Sequence, residues 1–262
     1  AFVLRLRPQQ VSGSTAPQQP EWEQVYEKAL SGKTVKELSG EASGFVVATS
    51  THDDKHVPVV LRLDAKGELL WSKSYPDHGE LTDIAVLSNQ GRLEGLALSG
   101  HRKDAGGGID GVMTKLSLQG DVLWSYNYGN PQGGVGPFRG LGAGNPRLIY
   151  DECWGIQSRG DGGAVMACGT GIEECEPFED NDALYDECTA DPRKTWRSLV
   201  VRVNPQGGPI WHRTDSYRFP GEPEEEQAPA TASEFVLVTS GGQVASITDL
   251  SSGIGLQLLE RE

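Results

Sequence analysis

Residues 59–75 read VVLRLDAKGELLWSKSY, in which an alternating apolar stretch around Arg62 is followed by a turn at Gly67 and a second stretch that carries Trp71. Alternation of apolar and polar residues is typical of a β-strand with one buried face. A short glycine-containing linker between two such stretches is typical of a hairpin. We therefore expect an antiparallel pair of strands here.

This pattern recurs along the chain. A basic residue precedes a tryptophan by nine positions in three copies, and by seventeen positions in the first copy, where residues 11–19 add turn material. The pairs are Arg5 with Trp22, Arg62 with Trp71, Lys115 with Trp124, and Arg202 with Trp211. A fifth apolar segment, Gly255-Leu256-Gln257-Leu258, matches the strand around the basic residue. Repetition of this kind is the sequence signature of a repeat architecture.

Each basic strand is preceded by a hairpin with a glycine-marked turn, so that one unit contains the four antiparallel strands of a β-propeller blade. Glycine and proline are abundant, at 34 and 15 of 262 residues, which also favours an all-β fold. We predict a single all-β domain, residues 1–262, built as a β-propeller of four blades, with five blades as the alternative. Its segments are a partial unit at 1–30, units at 31–76, 77–129 and 148–218, the last with insertions, and a partial unit at 230–262.

Two stretches carry a resemblance to a known family. The run GDGGAVMACGT at 160–170, followed by LVVRVNPQG at 199–207 and by Trp211, resembles secreted β-propeller repeats that read DGG-hhh-x-G-x-T and then hhhK-h-D-x-x-G-x-h-x-W-x-x-x-Y. Such repeats are similar to those of quinoprotein-like propellers. The resemblance covers nearly the whole chain, and residues 59–75 are its closest copy. It implies a scaffold, and it implies no catalytic or cofactor-binding residue.

The order of the strands predicts how the propeller closes. The chain begins with the third and fourth strands of a unit and ends with the first, second and third. Pairing of the N-terminal and C-terminal segments would complete the last blade and remove two exposed sheet edges. One third strand is then surplus, either segment 3–6 or segment 254–258. It lies at a blade rim, or the chain is one part of a longer precursor or assembly.

Charge and cysteine content restrict the partners and the compartment. With 23 basic and 37 acidic residues, the formal net charge is −14, which disfavours binding to nucleic acid or anionic membranes. No apolar stretch approaches the ~18 residues of a transmembrane helix. The chain starts at Ala1, which we interpret as a mature protein whose leader has been removed. Four cysteines without zinc spacing indicate disulfides and an extracytoplasmic location.

The cysteines also predict a connectivity. Cys153 and Cys168 are placed symmetrically about the turn at Gly160-Asp161, so they face each other in a regular hairpin. Of the three possible pairings we favour Cys153 with Cys168 and Cys175 with Cys188.

The second predicted disulfide closes the most unusual segment of the chain. Residues 173–191 carry nine carboxylates and no basic residue. A bound Ca²⁺ would relieve their mutual repulsion through oxygen ligands. The candidate ligands are Asp180, Asp182, Asp186 and Glu187. The segment does not match an EF-hand, and we favour the alternative of a solvated acidic loop or an interaction surface.

Candidate residues for a site at the axial channel come from the histidines. His52 and His101 follow the second strand of successive units, and Asp249 and Thr170 lie near the equivalent position. A metal or acid–base site at the channel rim is one interpretation, and histidines in surface loops are the more common one. The recurring aromatic residues are expected to pack between blades. The recurring basic residues are expected to pair with acidic neighbours between blades, or to line the channel.

No nucleophile elbow, phosphate-binding loop or zinc-protease motif occurs in the sequence. We therefore expect a non-enzymatic binding or scaffold propeller, a subunit of a larger extracytoplasmic assembly that docks a protein partner through its acidic, disulfide-closed side. Two alternatives stay open. One is an enzyme with its active site at the mouth of the axial channel, and the other is a calcium-dependent adhesion or carbohydrate-binding module.

Overall fold

The computed structural model describes residues 2–6, 20–26, 30–52, 55–103, 108–131, 150–171, 196–215, 231–250 and 253–259. These residues form β-strands and two short 3₁₀ turns, Gly40–Ala42 and Pro76–His78, with no α-helix among them. The predicted all-β class is therefore confirmed. Within these ranges, no helix is long and apolar enough to cross a membrane.

The strands are numbered in chain order. They are β1 Phe2–Leu6, β2 Pro20–Val25, β3 Leu30–Leu38, β4 Gly44–Thr51, β5 Pro58–Leu63, β6 Leu69–Ser74, β7 Glu80–Asn89, β8 Arg92–Lys103, β9 Ile109–Leu116, β10 Val122–Tyr128, β11 Tyr150–Ser158, β12 Ala164–Gly171, β13 Trp196–Val203, β14 Pro209–Asp215, β15 Thr231–Val238, β16 Val244–Leu250 and β17 Gly253–Leu259.

These strands form antiparallel meanders in chain order. β1 and β2 pair as the N-terminal strand pair, and β3–β6 form the four-stranded sheet 1. β7–β10 form sheet 2 and β11–β14 form sheet 3, and the parallel pair Ile109–Tyr150 joins the two at their edges. β15–β17 form the three-stranded C-terminal sheet. The predicted four-stranded unit is therefore present three times.

The chain divides into two compact units. Residues 1–77 contain the N-terminal strand pair and sheet 1, and residues 78–262 contain the other three sheets. β1 pairs with β2 and β17 pairs with β16, so both candidate surplus strands are present. Among the described strands, no sheet combines strands from the two ends of the chain. The predicted closure is thus not part of these sheets.

The recurring basic residue and tryptophan are direct cross-strand neighbours. The pairs are Arg5–Trp22, Arg62–Trp71, Lys115–Trp124 and Arg202–Trp211. In every pair the register shifts immediately beyond these two residues, on the side of the turn. The nine-residue spacing therefore reflects a hairpin whose turn is followed by a bulge. The longer first copy keeps the same pairing, so its extra residues do not change the register.

The fifth repeated segment is aligned differently from the prediction. Val244, the first residue of β16, pairs with Leu259, the last residue of β17. In sheet 3 the equivalent pair is Ala164 with Val203, and Val203 directly follows Arg202. Leu258 therefore holds the position of Arg202, whereas the sequence pattern placed Gln257 there. The prediction was wrong by one residue, because this segment has neither a basic residue nor a following tryptophan that would set its register, and the error reverses the faces of the strand.

The first strand of each sheet contains a β-bulge at the same position of the unit. The bulged residues are Lys33, Thr82, Trp154 and Glu234. A bulge bends the strand and increases its twist. No sequence signal predicts it, because the four residues share no chemical property.

Each of the two compact units contains apolar cores between its own strands. In residues 78–262, one core joins sheets 2 and 3 and includes Trp124, and a second joins sheet 3 to the C-terminal sheet and includes Trp211. In residues 1–77, Trp22 and Tyr26 pack on the apolar face of sheet 1. For these four residues the predicted packing role is confirmed.

The tryptophan and tyrosine side chains also donate hydrogen bonds to a turn of the sheet that follows. The bonds run from Trp22 Nε1 to Ala65 O (3.2 Å), from Tyr26 OH to Gly67 O (2.5 Å), from Trp124 Nε1 to Pro205 O (3.3 Å) and from Tyr128 OH to Gly207 O (2.7 Å). Gly207 has a φ of +85°, and a Cβ there would lie 2.7 Å from the Tyr126 ring. Both its conformation and its surroundings therefore require glycine.

The recurring basic residues mostly bind backbone carbonyl groups. The buried guanidinium of Arg62 donates to the carbonyl groups of Ala42 and Phe45 in its own sheet. Lys115 Nζ reaches sheet 3, where it donates to Pro205 O at 3.1 Å. The expected acidic partners between blades are therefore not used at these two positions. A third member of the series does bind a carboxylate: Arg202 lies 3.3 Å from Asp161, which is in the same sheet.

Candidate functional site

Two long connections begin and end at one edge of sheets 2 and 3. Residues 132–149 precede Tyr150, and residues 172–195 lie between Gly171 and Trp196. Gly171 pairs with Tyr150 on one side and with Trp196 on the other, so three of the four chain ends lie side by side. We name this edge the insertion rim.

Asp151 connects the fourth chain end to the rim. Its Oδ1 accepts a hydrogen bond from the backbone N–H of Asn130 at 3.2 Å, just before the first connection begins. Its Oδ2 lies against Gly129, where a Cβ would come within 2.2 Å of it. Asp151 is buried, so it acts as an internal anchor for both connections.

Burial raises the pKa of Asp151 to about 7. The neighbouring Thr170 side chain and the hydrogen bond from the Asn130 backbone act against this shift, and the negative charge of Asp110 adds to it. Desolvation disfavours the charged form, which is why it dominates for a carboxyl group in this position. The anchor of the insertion rim therefore changes its charge close to neutral pH.

A more exposed polar group occupies the sheet 2 side of the rim. Arg102 and Asp110 are cross-strand neighbours, and both bind Asn127. Arg102 Nε donates to Asn127 Oδ1 at 2.9 Å, and Asn127 Nδ2 donates to Asp110 Oδ2 at 2.6 Å. The rim thus carries both signs of charge in a fixed arrangement.

The disulfide Cys153–Cys168 is present and buried, three positions inside the rim at Tyr150 and Gly171. The two residues are cross-strand partners, as predicted. Between the turn and Gly155 the two strands pair in a regular register, which would place Trp154 opposite Cys168 if it continued. The bulge at Trp154 shifts the register by one residue, so that Cys153 lies opposite Cys168 instead. The predicted symmetry about the turn therefore holds only because of a bulge that the sequence does not show. The predicted partners Cys175 and Cys188 lie outside the described residues.

Polar side chains of sheet 2 bind the backbone of this bulge. Thr82 Oγ1 donates to Cys153 O at 2.9 Å, and Ser99 Oγ donates to Trp154 O at 3.3 Å. Asp83 Oδ2 accepts a hydrogen bond from Ile156 N–H at 3.2 Å. The backbone beside the rim is therefore fixed by a disulfide and by the neighbouring sheet. The polar pair at 82–83, directly before the apolar run 84–87, was the available sequence signal.

The predicted calcium ligands Asp180, Asp182, Asp186 and Glu187 belong to the second long connection, which lies outside the described residues. The calcium site therefore stays a prediction. In the ranges that the structure does describe, no group of three or more His, Cys, Asp or Glu side chains could hold a metal ion.

The channel-rim candidates occupy related but different positions. His101 pairs with Glu80 across β7 and β8, and Asp249 holds the equivalent place in the C-terminal sheet, opposite Ala232. Both lie inside strands, whereas the sequence pattern placed them in loops. His52 follows β4, two positions further along its unit than His101.

Their surroundings differ as well. His52 and Asp249 are exposed, whereas His101 is partly buried and its Nε2 lies 3.5 Å from Glu80. The pKa of Glu234 is raised mainly by its burial and to a lesser extent by the negative charge of Asp249. The structure thus gives His101 a carboxylate neighbour within its own sheet, and a catalytic role for these residues stays a prediction.

A buried histidine was missed by the sequence reasoning. His78 is almost inaccessible, and its Nδ1 lies 2.8 Å from Thr114 Oγ1, which in turn lies 2.8 Å from Ser125 Oγ. Burial lowers the pKa of His78 to about 4, so the ring is neutral at pH 7. It contributes to the interior of sheet 2, and it had no distinguishing spacing in the sequence.

Several solved structures share a distant similarity with this chain, among them the following two. A hypothetical protein from Leishmania major is 10% identical, with 91% of each chain covered and a TM-score of 0.32. The WD40 domain of SCAP from fission yeast is 11% identical, with 90% of this chain and 46% of that chain covered and a TM-score of 0.31. These TM-scores are too low to support an inference about fold or function. No protein-family model and no curated protein matches the chain.

Proposed function

We propose that this chain is a non-catalytic binding or scaffold module of the β-propeller type. In this arrangement sheets 1, 2 and 3 and the C-terminal sheet are four blades, and the insertion rim presents the two long connections to a protein partner. The convergence of the four chain ends at the rim is the observation that carries the proposal. Binding residues are commonly placed on loops that a rigid scaffold positions.

The chemistry of the second connection indicates the kind of partner. Residues 173–191 carry nine carboxylates, within a chain of net charge −14. A partner with a basic surface would be attracted by this charge, and its association would weaken as salt screens the interaction. The Cys153–Cys168 disulfide is consistent with an oxidising compartment and supports the proposal of an extracytoplasmic assembly.

The proposal is tested by neutralising the acidic connection without changing its length. In the variant, every Asp and Glu of residues 173–191 is replaced by Asn or Gln. The matched control carries the same number of such replacements at exposed carboxylates elsewhere in the chain. Each protein is immobilised and exposed to an extract of its native compartment at low and high salt.

We expect at least one protein to be retained by the unmodified chain and by the control, to be lost from the variant, and to elute with salt. If the variant retains the same proteins as the unmodified chain, the acidic connection is not the binding surface and the proposal is overturned. Circular dichroism of all three proteins shows whether they share the same all-β fold, so a loss of binding can be separated from unfolding.

A further inference from the structure

We propose that two copies of this chain form a two-fold dimer through the outer face of the C-terminal sheet. The outer face is the side of β15–β17 that points away from sheet 3. It carries six large apolar side chains that are between 44% and 83% exposed. They are Phe235, Leu237, Ile247, Ile254, Leu256 and Leu258. A closed ring of the four proposed blades would cover this face with residues of the same chain, so the dimer requires that the blades form an open array, and the crosslinking experiment below distinguishes the two.

The outer face differs from the faces on which a following sheet packs. Phe235 holds the position of Gly155 in sheet 3 and of Asp83 in sheet 2. A Cβ at Gly155 would lie 2.7 Å from the Glu234 carbonyl oxygen of the next sheet, so no larger residue fits there. Asp83 uses its carboxylate to bind the backbone of the next sheet. A phenylalanine at this position is therefore incompatible with a following sheet of the same kind.

A second position of the face supports the same conclusion. Leu258 holds the position of Lys115 and Arg202. Lys115 reaches the following sheet, where its Nζ donates to Pro205 O. With leucine in this place, the outer face loses the basic residue that every complete sheet has. It becomes bulky and apolar, which suits packing of one sheet face on another by interdigitated side chains.

The size of the face fits a dimer interface. Six side chains of this size and exposure present on the order of 600 Å² of apolar surface, which is at the upper end of the largest patch on a typical monomer. A standard interface buries ~800 Å² on each partner. Because a two-fold interface uses the same patch on both copies, a face of this area is close to sufficient once its rim is included.

Charge favours a second copy at this face in particular. The chain has a formal net charge of −14, so two copies repel each other over most of their surfaces. The six apolar side chains are uncharged, and the exposed Asp249, which pairs with Ile254, is a carboxylate on the same face near the end of β16. Two copies that meet at Ile247 and Leu256 therefore place few like charges opposite each other. Among the described strands β17 pairs only with β16, so its other edge lies beside this patch and would be covered at the same time.

The dimer is tested by sedimentation of the full chain over a concentration series. Leu256→Lys places a charge in the centre of the face and should raise the dissociation constant of the dimer at least about 100-fold, because the charge would be buried without a partner. Leu123→Lys is the matched control, since Leu123 is an exposed strand leucine in sheet 2. The control should sediment like the unmodified chain.

Two further variants keep the test decisive if Leu256→Lys fails to fold. Phe235→Asp and Leu258→Lys introduce the residues that sheet 2 already carries at these positions, and both should dissociate the dimer. Benzoylphenylalanine in place of Phe235 should give, on irradiation, a covalent product with the mass of two chains.

Three results would overturn the inference. The first is an unmodified chain that stays monomeric up to about 100 µM. The second is a dimer that persists unchanged in the folded variants. The third is a photoproduct with the mass of one chain, linked from residue 235 to residues 2–6, 20–26 or 30–74, which would show that the N-terminal strand pair or sheet 1 covers the face in the same molecule.

Discussion

Sheet 3 and the C-terminal sheet have the same backbone pattern and different surroundings. Each has a bulge in its first strand, at Trp154 and Glu234, and each pairs the start of its second strand with the end of its third. Among the described residues, other sheets cover both faces of sheet 3, whereas sheet 3 covers one face of the C-terminal sheet and the large apolar side chains of its other face are exposed. The repeat therefore determines strand register, and the residue at a given register position reveals whether another sheet packs on it.

The largest loss of stability is expected when residues are exchanged between equivalent positions of these two sheets. Gly155→Phe should destabilise the fold by more than about 5 kcal/mol or prevent folding, because even a Cβ at this position collides with backbone atoms of Glu234 and Phe235. Chemical denaturation of the purified variant, or its recovery in the soluble fraction, measures the effect.

The reciprocal change, Phe235→Gly, is the control. Phe235 is exposed, so the loss should be about 1 kcal/mol, from the poor strand propensity of glycine. Similar losses for the two changes would contradict the claim that these equivalent positions differ in what covers them.

The next largest expected effect on stability comes from Asp151, which lies in sheet 3. Its pKa is about 7 in the folded chain, against 3.8 as its ordinary value. As pH rises from about 4 to about 7, the unfolded chain releases this proton while the folded chain retains it, so stability should fall by up to about 4 kcal/mol and then level off. Denaturation at pH 4 to 8 should show this decline in a His78→Gln background, where the opposing titration of His78 is absent, and adding Asp151→Asn should abolish it.

The exposed Asp249 of the C-terminal sheet is the matched control for Asp151, and Asp249→Asn should leave the decline in place. A decline that persists in Asp151→Asn would show that another group causes it.

His78 should produce the opposite trend at acid pH. Its pKa is lowered from 6.5 to about 4. As pH falls from about 6.5 to about 4, the unfolded chain gains a proton that the folded chain does not, so stability should fall by up to about 3 kcal/mol. His78→Gln should remove this loss. Because His78 and Asp151 oppose each other over most of this range, each single variant should have a steeper pH profile than the unmodified chain, in opposite directions.

The strand content of the fold could be predicted because it depends on local patterns. The basic residue and the tryptophan of each copy set a hairpin register, which holds even between Arg5 and Trp22. The slip by one residue at Leu258 occurred where both markers are missing. The bulge at Trp154 could not be predicted, because it depends on polar contacts from sheet 2 that are distant in the sequence.

The candidate site was less predictable than the strands. The disulfide followed from spacing within one hairpin, whereas Asp151 becomes important only when Asn130 and Thr170 are brought beside it. Burial of a single carboxyl group is a property of the packed sheets, and neighbouring residues in the sequence carry no sign of it. The outer face of the C-terminal sheet is similar, since its exposure depends on which sheet follows.

A smaller test compares equivalent apolar side chains on the two sheets. Val200 is buried between sheet 3 and the C-terminal sheet, whereas Leu256 holds the same position on the outer face. Val200→Ala should cost about 2 kcal/mol, from lost burial and a small cavity. Leu256→Ala should change the stability of the monomer by less than about 0.5 kcal/mol. Denaturation in dilute solution, where the chain is monomeric, measures both, and equal losses would show that the outer face is covered.

The smallest expected effect concerns the hydrogen bond that links successive sheets. Tyr128 is buried, and its hydroxyl group donates to Gly207 O at 2.7 Å, which joins sheet 2 to sheet 3. Tyr128→Phe keeps the ring and removes this bond, so it should cost about 1 kcal/mol. Tyr126→Phe is the control, because Tyr126 is about half exposed and lies on the same strand. Equal effects of the two changes would mean that packing of the ring, and not the bond to the turn, joins the sheets. In that case the C-terminal sheet, which has three strands among the described residues, would differ from sheet 3 only through the apolar surface that it exposes.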